Sequence, residues 1–249
     1  MTLTTLLHPG RQARFAVIAA AIGLTTGSFL VGAGLTPLWL GSVTGFAVAG
    51  VPWLLKWRSD LKSWGFAVTL LGVLVVLQGV HSLEHLVQLA QLYVLQWPLQ
   101  RSLGLITSAN VEWVHLAWNL VVLAGVIYLM TRGFRNVWMW ALLVWAGLHT
   151  LEHAYLFARY LQVAREINGF GLPSFGASQS LPGVLGRDGW LSQQSWCGRI
   201  AGITTAPRAV IHFGWNAGEA TLLLVAARSN LPRFSNITPS PTTPRGGNA

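Results

Sequence analysis

Between Arg14 and Lys56 the chain carries no charged residue, and this restricts the fold more than any other feature of the sequence. The stretch exceeds the roughly 20 apolar residues that one helix needs to cross a bilayer. Pro37 and the glycines around it divide it into two spans, near 15–34 and 37–55. Similar runs predict a third helix from about 64 to 96, a fourth near 109–130, a fifth near 136–163 and a sixth near 207–227. The third would be ~50 Å long if wholly helical, so it should tilt or protrude. The expected fold is all-α and integral to a membrane, with six transmembrane helices. Composition agrees: 9% of residues are charged, against roughly 25% in soluble domains. Thirteen tryptophans suit a chain with many positions at the membrane–water interface.

The formal charge of +9 could suggest nucleic acid as a partner. The basic residues stand between apolar blocks rather than in a stripe, so membrane topology explains them and no nucleic acid is expected. Arg11, Arg14, Lys56, Arg58, Lys62, Arg132, Arg135, Arg228, Arg233 and Arg245 fall on one face of a six-span arrangement, and Arg101 alone occupies the short opposite loop. The positive-inside rule then puts both termini in the cytoplasm and the 164–206 segment outside a cytoplasmic membrane. The first apolar run is read as an uncleaved helix, because further spans follow it. The Gly/Pro-punctuated outer segment is expected to form a lid, and 231–249 a disordered cytoplasmic tail.

An internal duplication organises the polar residues. Gly79-Val-His81-Ser-Leu-Glu84-His85 in the third span matches Gly147-Leu-His149-Thr-Leu-Glu152-His153 in the fifth. In the spans that follow, His115-Leu-Ala-Trp118-Asn119 matches His212-Phe-Gly-Trp215-Asn216. Helix pairs of the same sense imply parallel repeats, here 63–135 and 136–230, forming a pseudo-two-fold four-helix bundle beside an N-terminal hairpin, 1–62. Residues at i, i+3 and i+4 share a helix face. His81, Glu84 and His85 therefore point together, as do His149, Glu152 and His153, with His115 and His212 converging on them from the next helices. Glu112 and Glu219 lie on the faces of those last two histidines, but they are not repeat-equivalent. Asn119 and Asn216 are expected to bond between helices or to the ligands.

Burying so many ionisable groups costs several kcal/mol each unless they are paired, and a metal supplies the pairing. The metal candidates are His81, His85, His115, His149, His153 and His212, with Glu84 and Glu152 as bridging ligands or orienting bases. Glu84, Glu152, Glu112 and Glu219 are the candidate catalytic acids and bases. His8 lies outside the pattern. With one cysteine, Cys197, neither an iron–sulfur cluster nor a Cys-type zinc site can form. Imidazoles with carboxylates favour a dinuclear iron centre, with zinc or copper as alternatives. Helix-borne His and Glu facing inward are similar to the di-iron bundle pattern, although Ala209 stands where a second Glu-x-x-His would need its acid.

Three functions follow as expectations. The first is a membrane oxidoreductase or oxygenase acting on a lipid-soluble substrate, alone or with other membrane subunits or a redox partner. The second is a zinc hydrolase, because His-x-x-Glu-His is spelled like the inverzincin motif. The third is a non-catalytic haem- or pigment-binding subunit. A transporter is disfavoured, since the ionisable cluster sits toward one side and no broken helix pair flanks it.

Overall fold

The computed structural model describes residues 2–98, 101–106, 112–169, 181–196 and 199–235. Its principal elements are α1 (Leu3–Leu7), α2 (Ala13–Gly32), α3 (Leu38–Leu89), α4 (Glu112–Thr131), α5 (Val137–Gly169) and α6 (Arg208–Ser235). No strand occurs among the described residues. Four helices are long and apolar enough to cross a membrane: Ala13–Gly32, Leu38–Val94, Glu112–Thr131 and Arg208–Leu231. α5 falls outside that set because His149, Glu152 and His153 dilute its apolar character. The fold of the described residues is therefore all-helical, with several helices long and apolar enough to span a membrane.

Pro37 caps α3 at its start, where its missing N–H costs nothing. The 52-residue α3 leaves helical dihedrals at Gly65 (φ 77°, ψ 175°), a conformation closed to most L-residues. Phe46 shares a cavity wall with Leu77 and Val80, whereas a straight helix would separate Phe46 from Val80 by about 51 Å. The chain thus doubles back at Gly65, at the start of the third apolar run. Lys56, inside the first limb, is buried and ion-paired with Asp60 one turn on.

α2 packs on the first limb of α3 through small residues. A Cβ on Gly45 would stand 2.9 Å from the Gly23 carbonyl oxygen, and one on Gly41 would stand 3.0 Å from that of Gly27. Two Gly-x-x-x-Gly pairs, 23/27 and 41/45, thereby bring the backbones into contact, the usual device where lipid removes any hydrophobic drive between helices.

The second limb of α3 packs on α6, and α4 and α6 each pack on α5. Leu71, Leu74, Val126, Leu129, Phe134, Met139, Leu142, Leu223 and Leu231 form the apolar core at one end of this bundle. Leu6 of α1 enters it; a Cβ on Gly72 would stand 3.1 Å from Leu6 Cδ1. The histidines occupy the other end. Past His85 the helix widens into a π turn, Ala90–Val94, a local under-winding common beside functional sites. α6 runs to Ser235, so residues 231–235, expected to be disordered, extend the helix. Residues 236–249 of the expected tail, Cys197, and 170–180 of the outer segment lie outside the described residues.

Candidate metal centre

Two turns of α3 and α5 carry the paired histidines inward, and the first turns of α4 and α6 bring one more each. His81, His85 and His115 form one group whose possible ligand atoms lie within 4.8 Å of one another; His149, His153 and His212 form a second. The groups touch. The rings of His85 and His212 have centroids 4.2 Å apart, and those of His115 and His153 stack at 5.2 Å with 8° between planes. Within the groups, His85 Nε2 faces His81 Nε2 at 3.3 Å and His153 Nε2 faces His212 Nε2 at 3.1 Å. His8 is exposed and remote, accepting the Gly10 N–H.

The ring orientations have identifiable partners. His85 Nδ1 donates to Gln88 Oε1 (2.7 Å) and His149 Nδ1 donates to Glu219 Oε2 (2.7 Å), which leaves the Nε2 lone pair of each ring for a ligand. Glu112 Oε2 stands 3.5 Å from His153 Nδ1, longer than a good hydrogen bond. The other Glu112 oxygen pairs with Arg208. Arg208 also donates to the Leu181 carbonyl (2.8 Å), tying the outer segment to α4 and α6. Around these rings, Glu112 Oε2, Asn119 Oδ1, His149 Nε2, His153 Nδ1 and Glu219 Oε1 are buried without a hydrogen-bond partner. Orphaned buried atoms of this kind are rare, and here they cluster.

Glu84 and Glu152 are occupied differently. Glu84 accepts the backbone N–H groups of Leu105 (2.8 Å) and Ile106 (2.7 Å), and Glu152 accepts those of Val184 (3.0 Å) and Leu185 (3.5 Å). Gly104 and Gly183 lie against these carboxylates so closely that a Cβ on either would collide with them. Each glutamate thus pins a connecting loop, and the two groups able to hold an ion contain histidines alone among the described residues. Asn119 and Asn216 donate to the carbonyls of His115 (2.9 Å) and His212 (3.0 Å).

Several contributors escaped the sequence reading. Gln78 donates to Asn216 (3.3 Å) and Glu219 (3.4 Å) and accepts the Trp118 indole N–H (3.0 Å). Gln91, in the π turn, brackets Gly104 with two hydrogen bonds, at 2.7 and 3.0 Å. Their signal was available: a neutral amide inside an apolar span needs a partner. Arg208 stands beside Ala209, the residue noted only for the acid it lacks.

A cavity of about 450 Å³ runs from His115 and His212 outward past Glu112, Arg208 and Ser102 to the loop at Gly183–Gly189. A second, of about 210 Å³, reaches His81 from the side. No family model, curated protein or solved structure matches the chain.

Proposed function

We propose that the chain is a membrane-embedded metalloprotein with a dinuclear centre held by His81, His85 and His115 on one side and by His149, His153 and His212 on the other. The facing of ring nitrogens carries this reading. Ligands bound tetrahedrally at 2.0–2.1 Å stand about 3.3 Å from one another, and the Nε2 pairs lie at 3.3 and 3.1 Å. Ring-to-ring hydrogen bonds would account for those two distances alone. They would leave His149 Nε2, buried and partnerless, without a reason to have its other nitrogen fixed by Glu219.

Six crossings are part of the proposal: α2, the two limbs of α3, α4, α5 and α6. Parallel repeats are supported by contacts that recur under exchange of the two halves. Ser82 donates to the Asn216 carbonyl (3.1 Å), and Thr150 donates to that of Asn119 (3.5 Å). Glu84 and Glu152 each hold a Gly-containing loop. Termini in the cytoplasm and the histidines in the outer half of the bilayer follow from the arginine and lysine placement.

Imidazole suits iron, copper and zinc. With Glu84 and Glu152 bonded to loops, Glu112 and Glu219 are the acids left to tune the centre, each beside a histidine Nδ1. A carboxylate in that position fixes the ring and raises its donor strength. An imidazole-rich centre inside a largely apolar helix bundle favours a redox metal, iron or copper, which would supply electron transfer or oxygen activation. The protein's part is to hold and orient the six imidazoles. Zinc hydrolysis is the second reading, favoured by the partnerless Glu112 Oε2 on the wall of the polar cavity, where it could take a proton. Metal analysis with a visible spectrum separates them: iron or copper with absorption bands supports the first, colourless zinc the second, and no metal defeats both.

A further inference from the structure

The two ends of the histidine cluster are not equally sealed. His149 is wholly buried, with Trp215 stacked on it at 5.5 Å and 7° between planes. His81 is half-buried, and its counterpart tryptophan, Trp118, is tilted 41° from it at 5.6 Å. Two side chains differ between the halves at these tryptophans: Trp145 packs edge-on against Trp215 with centroids 4.9 Å apart, where the first half has Leu77, and Gln78 binds Trp118. The Trp118 N–H is drawn to Gln78 Oε1 at 3.0 Å. The repeat-equivalent of Gln78 is Ala146, which offers no acceptor, and the buried Trp215 N–H has no partner. Trp215 lies flat on His149 with Trp145 packed against it, whereas Trp118 is held tilted by Gln78.

The tilt exposes His81 at the floor of the 210 Å³ groove, which is walled by Phe46, Leu77, Val80, Leu83, Leu105 and Ile106. Its two polar wall groups are already satisfied, the Trp118 N–H by Gln78 and the Glu84 carboxylate by the Leu105 and Ile106 amides. The wall therefore asks for no hydrogen bond from a ligand. Val80 and Leu83 at its rim are 38% and 45% exposed, on the surface that faces lipid in a bundle with six crossings. The larger cavity differs in kind, with Arg187, Asp188, Arg208 and Glu112 on its walls.

We infer that an apolar molecule dissolved in the bilayer, a short alkyl chain or a single hydrocarbon ring, enters this groove sideways and comes to rest against His81. The size fits, since an apolar cavity of ~150 Å³ holds benzene. The charged cavity then serves water-soluble species, which reach the opposite face of the cluster at His115 and His212. This assignment deepens the membrane-metalloprotein reading and rests on it for the groove's place in the bilayer.

The test is photolabelling of the whole chain in lipid nanodiscs with adamantyl diazirine, mapped by peptide mass spectrometry, with metal content measured on the same samples. Labelling at Leu83, Leu105 or Ile106 should fall at least several-fold with excess n-octane and stay unchanged with 1,8-octanediol. Labelling at Leu24, a 70% exposed position on α2, should not respond to either. Leu83→Trp, which fills the mouth, and Gln78→Ala, which releases Trp118 to cover His81, should each abolish the octane-sensitive label. Octane-insensitive labelling at the groove, or equal dilution at Leu24, overturns the inference even if metal is present. Saturable labelling in a metal-free protein sustains the groove while removing the centre.

Discussion

His149 and Glu219 meet at 2.7 Å with both side chains sealed from solvent, the ring nitrogen donating to the carboxylate. The acid sits two turns into α6 from His212, and its partner lies on α5, the other helix of the same repeat, rather than on its own helix. That contact fixes which nitrogen of His149 is left for a ligand. Val122 occupies the equivalent place on α4, so His81 lacks such an acid, and the two halves of the centre differ.

Glu219→Gln keeps the shape and removes the charge. Losing an outer partner of a metal-bound imidazole lowers affinity typically 10–100-fold, so one ion of the pair should be stripped by chelator at correspondingly lower concentration while the other is retained. Stepwise chelator titration followed by metal analysis checks this; simultaneous loss of both ions would mean that the halves act as one unit.

The Arg208–Glu112 pair is the next contact to break. Glu112 is 1% exposed and Arg208 23%, so Arg208→Gln leaves a buried acid without its cation. Breaking a buried pair costs about 3–5 kcal/mol, and the partial exposure of Arg208 puts this one at or below the lower end. Arg208→Gln should lower the thermal midpoint in detergent, and the added Glu112→Gln change should recover part of the loss. No recovery in the double variant would show that Arg208 acts through the Leu181 loop instead.

How much of this was legible in the sequence differs from residue to residue. His81/His85 and His149/His153 could be placed on shared faces because one helical turn fixes their spacing, and the structure brings them together with His115 and His212. The partners of Glu84 and Glu152 could not be read in the same way. Their amides lie 21 to 33 residues further on, in loops of unequal length. A repeat is present there too, Ser102-Leu-Gly104-Leu-Ile106 against Ser180-Leu-Pro-Gly183-Val-Leu185, but the inserted Pro182 hides it from a fixed-offset comparison. The reversal at Gly65 was implied by the division of the spans, although the charged Lys56–Lys62 stretch before it is helical rather than a loop. The Gly23/Gly27 and Gly41/Gly45 contact was in view as spacing and went unread.

The loop glutamates carry their own expectation. Gly104 has φ +78° and its absent Cβ makes room for Glu84, so Gly104→Ala combines backbone strain of about 1–2 kcal/mol with disturbed charge-assisted hydrogen bonds. Amide hydrogen exchange at Leu105 and Ile106 should accelerate strongly in this variant and also in Glu84→Gln. Gly183→Ala should do the same at Val184 and Leu185. Unchanged protection there would mean that the loops are held by other contacts.

Gly23→Leu should open the α2–α3 hairpin while the six histidines keep their places, because α2 packs on the first limb of α3 and each of the six histidines is carried by the second limb, α4, α5 or α6. Protease sensitivity near residues 33–37 should rise while metal content stays constant. Loss of metal in this variant would tie the hairpin to the centre.

The central claim is tested most directly by metal analysis of protein purified in mild detergent without chelator, comparing the unaltered chain with His85→Ala, His212→Ala and His8→Ala. The account predicts about two redox-active ions per chain, retained in His8→Ala and lost or halved in the other two. Equal metal content in all four proteins, or none in the unaltered chain, would contradict it.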